Sequence, residues 1–165
     1  MKKNKKMNRL EHFKAILIPV LLSLSLMSCH PSDDIEDIFT PHGWSFTAFC
    51  YTPNWNGSDC SMLSITLGGY QDHHLNTLQF LPSGKVEVSM PGCTLTGEWT
   101  ADGAKRSFTV SGLTVSSGSI DNLTPFSAKF YKDLCETVWY RGDSTCLQLF
   151  DREGHYYLLF APIKL

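Results

Sequence analysis

The chain has 165 residues, six cysteines and a formal net charge of −2. Six of its 14 Lys and Arg residues lie within the first 14 positions, so residues 29–165 carry eight basic against fifteen acidic side chains. A nucleic-acid-binding surface needs a basic patch to neutralise phosphates. The composition therefore excludes nucleic acid as a partner, and the length is that of one domain.

The first 28 residues predict a secretory signal. A basic block is followed at positions 15–27 by thirteen uncharged, mostly apolar residues. A basic region, a short apolar run and small residues before a break define such a signal. The run is shorter than the roughly 20 apolar residues that a membrane-spanning helix needs, so we expect residues 1–28 to be removed.

The break resembles the bacterial lipobox, in which a branched apolar residue and a small residue precede a Cys. Leu26, Ser28 and Cys29 match this pattern, and Met27 departs from it. The resemblance implies cleavage before Cys29 and a diacylglycerol thioether on its sulfur. Two acyl chains anchor a protein stably where one does not, so we expect a lipid-anchored protein of the outer membrane.

An acidic segment follows Cys29, with Asp33, Asp34, Glu36 and Asp37 close together. It resembles the surface-export tether of Bacteroidetes lipoproteins, which implies exposure at the cell surface; a solvated acidic linker on a periplasm-facing anchor is the alternative. We therefore expect a lipidated tether over residues 29–42 and one β-rich domain over 43–165.

The other five cysteines are available for disulfides in an exported protein. They are Cys50, Cys60, Cys93, Cys135 and Cys146. An odd number leaves at least one free thiol, and the spacing favours Cys50 with Cys60, which flank one loop. No C-x-x-C or C-x-x-H spacing occurs, so we expect no structural metal and no cofactor.

Alternating apolar and polar residues predict an antiparallel sheet with one wet face. Val86, Val88 and Met90 alternate with polar residues, and the pattern resumes after Pro91 and Gly92. Shorter strands are predicted near 44–51, 62–67, 75–81 and 108–110, and a Ser/Gly-rich connection around a short strand at 111–122. About eight or nine strands imply an all-β fold, either a small antiparallel barrel or a strongly curved sheet.

One late helix is predicted over residues 125–134. Thr124 can cap it, Pro125 suits its first turn, and Phe126, Phe130 and Leu134 form one apolar stripe. Two hairpins follow. A Gly142-Asp143 turn in the first would place Cys135 and Cys146 about 13 Å apart, beyond disulfide reach.

The order of features from Phe80 onward resembles the META/HslJ-like domain, a small β fold of bacterial lipoproteins, or a lipocalin-like small β domain. The matching residues are Phe80, Gly84-Lys85-Val86, Gly92-Cys93, Gly97, Phe130, Leu134, Leu147, Leu149 and Leu158-Leu159-Phe160. Thr94 stands where that family has Asn, and Ser116-Ser117-Gly118-Ser119 replaces its Met/Cys segment. The whole chain is also similar to small uncharacterised lipoproteins of gut Bacteroidetes, and neither group implies an enzymatic reaction.

The loop at 52–59 is the predicted ligand site. Trp55 lies there among polar residues, with Asn54, Asn56 and Asp59 beside it. An aromatic on a polar loop can stack on a sugar or fill a partner's pocket, but Trp55 can equally plug the barrel end. Asp143-Ser144-Thr145 resembles the Bacteroidetes O-glycosylation sequon, which implies a glycan on Ser144.

Two classes of function therefore compete. The first is a non-enzymatic, monomeric binding or envelope-accessory module whose ligand is a glycan or an envelope protein. The alternative is a small hydrolase or metal-dependent enzyme. It would require His73 or His74, with His42 or His155, to converge on a carboxylate in one pocket. No nucleophile elbow occurs in the sequence, so we expect no enzyme and no catalytic residues.

Overall fold

The structure is a computed structural model that describes residues 33–53, 61–62 and 74–163. Within these ranges strands predominate, and two α-helices and short 3-10 turns, among them Ile120–Asn122, accompany them. The elements in chain order are α1 Asp33–Phe39, β1 Trp44–Tyr51, β2 Ser61–Met62, β3 Thr77–Phe80, β4 Lys85–Met90, β5 Cys93–Asp102, β6 Ser107–Gly118, α2 Pro125–Cys135, β7 Trp139–Asp143, β8 Cys146–Phe150 and β9 Tyr156–Pro162.

Eight of the strands close into an antiparallel barrel. From β3 to β9 each strand pairs with the next, and β1 closes the ring between β9 and β3. Along β9, Trp44 lies opposite Pro162 and Tyr51 opposite Tyr156. The short β2 pairs with the end of β1 and lies outside the ring. The predicted all-β barrel with one late helix is thus confirmed, and a second helix is added.

The alternation predicted for β4 and β5 is confirmed by burial. Val86, Val88 and Met90 are buried, and Leu95 on β5 is buried opposite Val88. Lys85 and Glu98 lie on the outer face and form an ion pair of 2.8 Å. The apolar face of the hairpin therefore forms part of the barrel interior, and its charged face meets water.

Helix α2 closes one end of the barrel. Thr124 caps it by accepting a hydrogen bond from the Ser127 amide, and Pro125 occupies its first turn, as predicted. Phe130 is fully buried and packs edge-on against Phe46 and Phe160. Since Phe126 and Leu134 are also buried, the predicted stripe is the surface that enters the core.

Helix α1 closes the other end, within the segment expected to be a lipidated acidic tether. Phe39 has no exposed surface, and Ile38 is 6% exposed. The Phe39 ring is parallel to that of Phe108, with centroids 5.5 Å apart. It also contacts Phe80 and Tyr140 edge-on, each at about 5 Å between centroids. The packed domain therefore begins at α1 rather than at residue 43.

Strand β6 is longer than predicted. The segment expected to be a Ser/Gly-rich connection continues the strand to Gly118, paired with β5 throughout. Two register shifts accommodate it, and Gly112 lies at one of them with φ of 62°. Ser116 donates a hydrogen bond from its hydroxyl to the Thr94 carbonyl. The low apolar content of residues 111–118 predicted a connection. The segment is nevertheless a strand because its backbone pairs with β5 and the two bulges adjust its register.

The predicted register of the β7–β8 hairpin is wrong. Asp143 lies opposite Cys146, and Trp139 opposite Phe150, so Ser144 and Thr145 form the turn. One oxygen of Asp143 accepts hydrogen bonds from the Thr145 amide and hydroxyl, both at 2.7 Å. Asp at this position bonds to the backbone two residues later, which moves the turn two residues beyond Gly142.

Candidate functional site

A cleft of about 250 Å³ opens at the α2 end of the barrel. Its walls are the C-terminal half of α2, the end of β1, the end of β8 and the start of β9. The lining residues are Phe49, Cys50, Lys129, Asp133, Glu136, Thr137, Leu149, Asp151, Tyr156, Tyr157 and Leu158. Cleft residues named below belong to this set.

The floor of the cleft is apolar. Phe49, Leu149 and Leu158 are core residues, each at most 4% exposed, and Leu158 lies opposite both Phe49 and Leu149 in the sheet. A β-bulge between Phe46 and Ala48 turns Phe49 inward. The bulge therefore helps to form the floor, as bulges often redirect a side chain near a site.

The α2 wall is charged. Lys129 pairs with Asp133 one turn later, and its ammonium lies 4.6 Å from the centroid of the Phe49 ring. Burial raises the pKa of Asp133 above its usual value and outweighs the opposing effect of Lys129. Glu136, at the helix end, is more exposed and lies 3.9 Å from Lys132. The cleft therefore carries a partly desolvated carboxyl beside a cation.

The opposite rim is the β8–β9 turn. Asp151 holds this turn by accepting amide hydrogen bonds from His155 and Tyr156 through one carboxylate oxygen. The His155 ring nitrogen lies 3.1 Å from the Thr52 carbonyl, and the Thr52 amide donates to the His155 carbonyl. Since Thr52 is the first residue of the predicted ligand loop, the base of that loop is fixed at the cleft rim.

Aromatic side chains lie beside this rim. Tyr156 is 52% exposed, and its ring centroid is 5.2 Å from that of the partly buried Tyr51. The Tyr51 ring also lies 6.0 Å from His155. Such faces offer flat apolar surface with a polar edge, which suits stacking on a ring-shaped ligand.

The four residues predicted to bind ligand lie outside the described residues: Asn54, Trp55, Asn56 and Asp59. That assignment stays a prediction. The cleft itself was missed by the sequence reasoning. Lys129 and Asp133 stand one helical turn apart on the polar face of α2, a pattern that solvated helices show routinely. Only the packing of α2 against β1 and β9 gives this pair a site.

The other predicted sites are scattered over the fold. Cys50 is buried on the outer face of the barrel, opposite Met62, in a small cluster with Ala48, Phe150 and Tyr157. Cys60 lies outside the described residues, so its pairing with Cys50 stays a prediction, as does lipidation of Cys29. Cys93 and Cys135 are free thiols. Ser144 is exposed at the tip of the β7–β8 turn, where an O-glycan has room.

Of the histidines in the enzymatic alternative, the three that the structure describes do not gather at the cleft. His42 precedes β1, where its ring packs on Trp44 at 4.6 Å, whereas His155 lies beyond the other end of that strand. His74 is exposed, and His73 lies outside the described residues. Among the described residues no group of three or more His, Cys, Asp or Glu could hold a metal ion.

The fold and the cleft define a small antiparallel barrel closed by a helix at each end. Within the described ranges, no helix has the length and apolar content that crossing a bilayer requires. A family profile for a domain of unknown function, DUF4847, matches residues 30–162. The chain belongs to the DUF4847 family, which is uncharacterised.

Solved structures support the same fold. A crystal structure of a DUF4847 family protein from Bacteroides vulgatus ATCC 8482 is similar, with TM-score 0.65 and 23% identity. The match covers 79% of this chain and 99% of that one. An NMR structure of a protein from Burkholderia xenovorans matches with TM-score 0.50 and 14% identity, over 82% and 90% of the two chains. No curated protein matches significantly.

Proposed function

We propose that the protein is a membrane-anchored lipoprotein that acts as a non-enzymatic, monomeric binding module, with its ligand at the α2-end cleft. The observation that carries the binding role is the cleft of about 250 Å³, whose rim fixes the base of loop 52–59. Proteins commonly place recognition on loops held by a rigid scaffold. The cleft and the loop are then two parts of one site.

The interior of the barrel is occupied by its own side chains. Aromatic side chains from β1, β3, β6 and both helices fill it, and none of them is more than 4% exposed. A small barrel filled by its own side chains has only its ends and loops for contact. Phe39 occupies the α1 end, so the proposed ligand site lies at the α2 end.

The chemistry of the cleft favours a glycan over an envelope protein. Carboxylates accept hydrogen bonds from sugar hydroxyls, and Asp133, Glu136 and Asp151 line the opening. Tyr156 offers an exposed ring for stacking. The volume is slightly below the range of about 300–1,000 Å³ typical of drug-sized ligands. One sugar ring at the end of a chain matches this size.

The lipid anchor at Cys29 is the second part of the proposal. It is supported by the apolar run before residue 29 and by the lipobox-like Leu26, Ser28 and Cys29. The acidic residues after Cys29 support exposure at the surface of the outer membrane. The resemblance to META/HslJ-like and lipocalin-like domains of lipoproteins is consistent with this location at the outer membrane.

Ligand binding is tested with a panel of host and bacterial glycans and tryptophan fluorescence. We expect at least one glycan to change the emission, and Tyr156→Ala and Trp55→Ala each to weaken that response. Leu81→Ala is the matched control, since Leu81 is 43% exposed at the other end of the barrel. A response that the cleft variant Tyr156→Ala and the loop variant Trp55→Ala both leave unchanged would remove the site from this region.

The anchor is tested separately in cells. Globomycin or Cys29→Ala should block processing, and Cys29→Ala should not fractionate with the outer membrane. Normal processing and membrane fractionation of Cys29→Ala would end the lipoprotein assignment. Ser144→Ala should remove a glycan detected by mass spectrometry on the β7–β8 turn, with Ser83→Ala as an exposed-turn control.

A further inference from the structure

The first described residues of the chain are fixed to one end of the barrel. Helix α1 begins at Asp33, and its last residue, Phe39, is fully buried among Phe80, Trp99, Phe108 and Tyr140. The Phe39 ring stacks on Trp99 at an interplanar angle of 28°, with centroids 5.0 Å apart. A residue surrounded in this way cannot leave without opening the core. The point at which the chain enters the domain is therefore set.

The distance from that point to Cys29 is short. Four residue steps separate Cys29 from Asp33, and a fully extended chain spans at most about 3.3–3.6 Å per residue, about 14 Å in total. The barrel is taller than this. The eight residues of β1 extend about 26 Å at roughly 3.3 Å each. A lipid on Cys29 can therefore reach the α1 end without strain and cannot reach the α2 end by the same route.

We infer that the α1 end of the barrel rests against the bilayer surface and that the α2-end cleft faces away from it. This inference rests on the lipid anchor proposed above and adds the orientation of the domain to it. The membrane-facing surface consists of the β3–β4, β5–β6 and β7–β8 turns and the residue after β9, so Ser144 lies at this end. The cleft then faces away from the membrane surface.

The side chains at the α1 end suit contact with a bilayer. Leu81, in the β3–β4 turn, is 43% exposed, and Ile163, after β9, is 37% exposed. Pro82 is exposed beside Leu81. Lys105, which pairs with Asp102 at 3.6 Å, and Arg106 are exposed on the β5–β6 turn, while Glu36 and Asp37 are exposed on α1. Apolar residues with basic neighbours bind the interface between lipid headgroups and acyl chains.

The orientation is tested with the purified lipidated protein in vesicles of phosphatidylethanolamine and phosphatidylglycerol that carry a headgroup-level fluorescence quencher. A fluorescent amino acid replaces Ser83, in the β3–β4 turn, or Glu153, in the β8–β9 turn; both positions are exposed. We expect the probe at Ser83 to lose most of its emission and the probe at Glu153 to keep most of it. Equal quenching at the two positions would overturn the orientation.

A longer tether provides the matched control. An insertion of about 20 Gly and Ser residues after His30 adds a mean span of about 25 Å. The difference between the two probes should then disappear, while the protein still floats with the vesicles. A difference that survives the insertion would show that the tether length does not set the orientation. Failure of the unmodified protein to float would instead overturn the anchor, and the orientation with it.

Discussion

The two ends of the barrel are closed by helices in different ways. At one end α1 inserts a single ring, Phe39, among four aromatic neighbours. At the other, α2 presents a stripe of three apolar residues and keeps a charged face toward the cleft. One closure is dense and leaves little room, whereas the other leaves a cleft. The difference indicates which end is structural and which is available to a ligand.

The pKa values of the carboxylates also differ between the two ends. Near the α1 end, hydrogen bonds and nearby lysines lower the pKa of Glu98 and Asp102, and hydrogen bonds from Thr145 lower that of Asp143. At the α2 end, burial raises the pKa of Asp133. Exposed, hydrogen-bonded acids stabilise turns, while a partly desolvated acid is a frequent feature of binding sites.

The largest expected effect is at α1. Phe39→Ala removes a ring from a filled core, and such changes cost about 3–5 kcal/mol of unfolding free energy. Glu36→Ala, on the exposed face of the same helix, should change it by less than about 0.5 kcal/mol. Urea denaturation of the soluble domain measures both. If the two variants were equally stable, α1 would not pack on the barrel in solution, and the contrast between the two barrel ends would be wrong.

The next effect concerns a buried polar contact at the α2 end. The Ser127 hydroxyl donates to the side-chain carbonyl of Asn76 at 3.0 Å, and both residues are buried. Ser127→Ala leaves that carbonyl without this donor, which costs about 1–3 kcal/mol. The double variant with Asn76→Ala should lose less than the sum of the single losses. Strict additivity would show that the contact contributes nothing.

A smaller effect is expected at the cap of α2. Thr124→Ala removes the acceptor for the Ser127 amide, and cap losses of this kind cost about 1 kcal/mol. Thr124→Ser keeps the hydroxyl and should retain most of the stability. Thermal unfolding of the three proteins tests the cap. A Ser variant as unstable as the Ala variant would assign the loss to the missing methyl group instead.

The smallest effect is the opposite pH dependence of two acids. The folded state favours protonated Asp133, so its contribution to stability is lost as the pH rises through its raised pKa. Asp143 has a lowered pKa, so its contribution is lost as the pH falls through that value. As the pH rises, stability relative to the unmodified protein should increase for Asp133→Asn and decrease for Asp143→Asn. Urea unfolding at several pH values gives both differences, and equal signs would contradict the assignment.

The sequence predicts α2 but not α1, because only α2 is determined by residues close together in the chain. For α2, Thr124, Pro125 and the spacing of Phe126 and Phe130 act within the helix, so its position was predictable. For α1, four acids within five positions match a solvated linker. The reason that Phe39 is buried lies in Phe80 and Phe108, which are distant in sequence. A short sequence pattern cannot indicate contacts between residues that are distant in the chain.

The cleft was unpredictable for the same reason. Its apolar floor is an ordinary core surface, and Lys129 and Asp133 are an ordinary helical ion pair. The site arises where α2 crosses the ends of β1 and β9, and that crossing depends on closure of the barrel. Strand β6 was also not fully predictable. Its Ser and Thr residues form a strand by pairing with β5, although few of its side chains are apolar.

The closure of β1 on β9 has a consequence for the time course of folding. Trp44 pairs with Pro162, so a strand near the start of the domain waits for a partner near its end. Contacts of such sequence separation slow folding, and barrels of this kind fold in milliseconds to seconds. A chain that emerges from its start cannot complete the ring until β9 has emerged. Until then the edge of β1 that pairs with β9 remains open, whereas its other edge can already pair with β2 and β3.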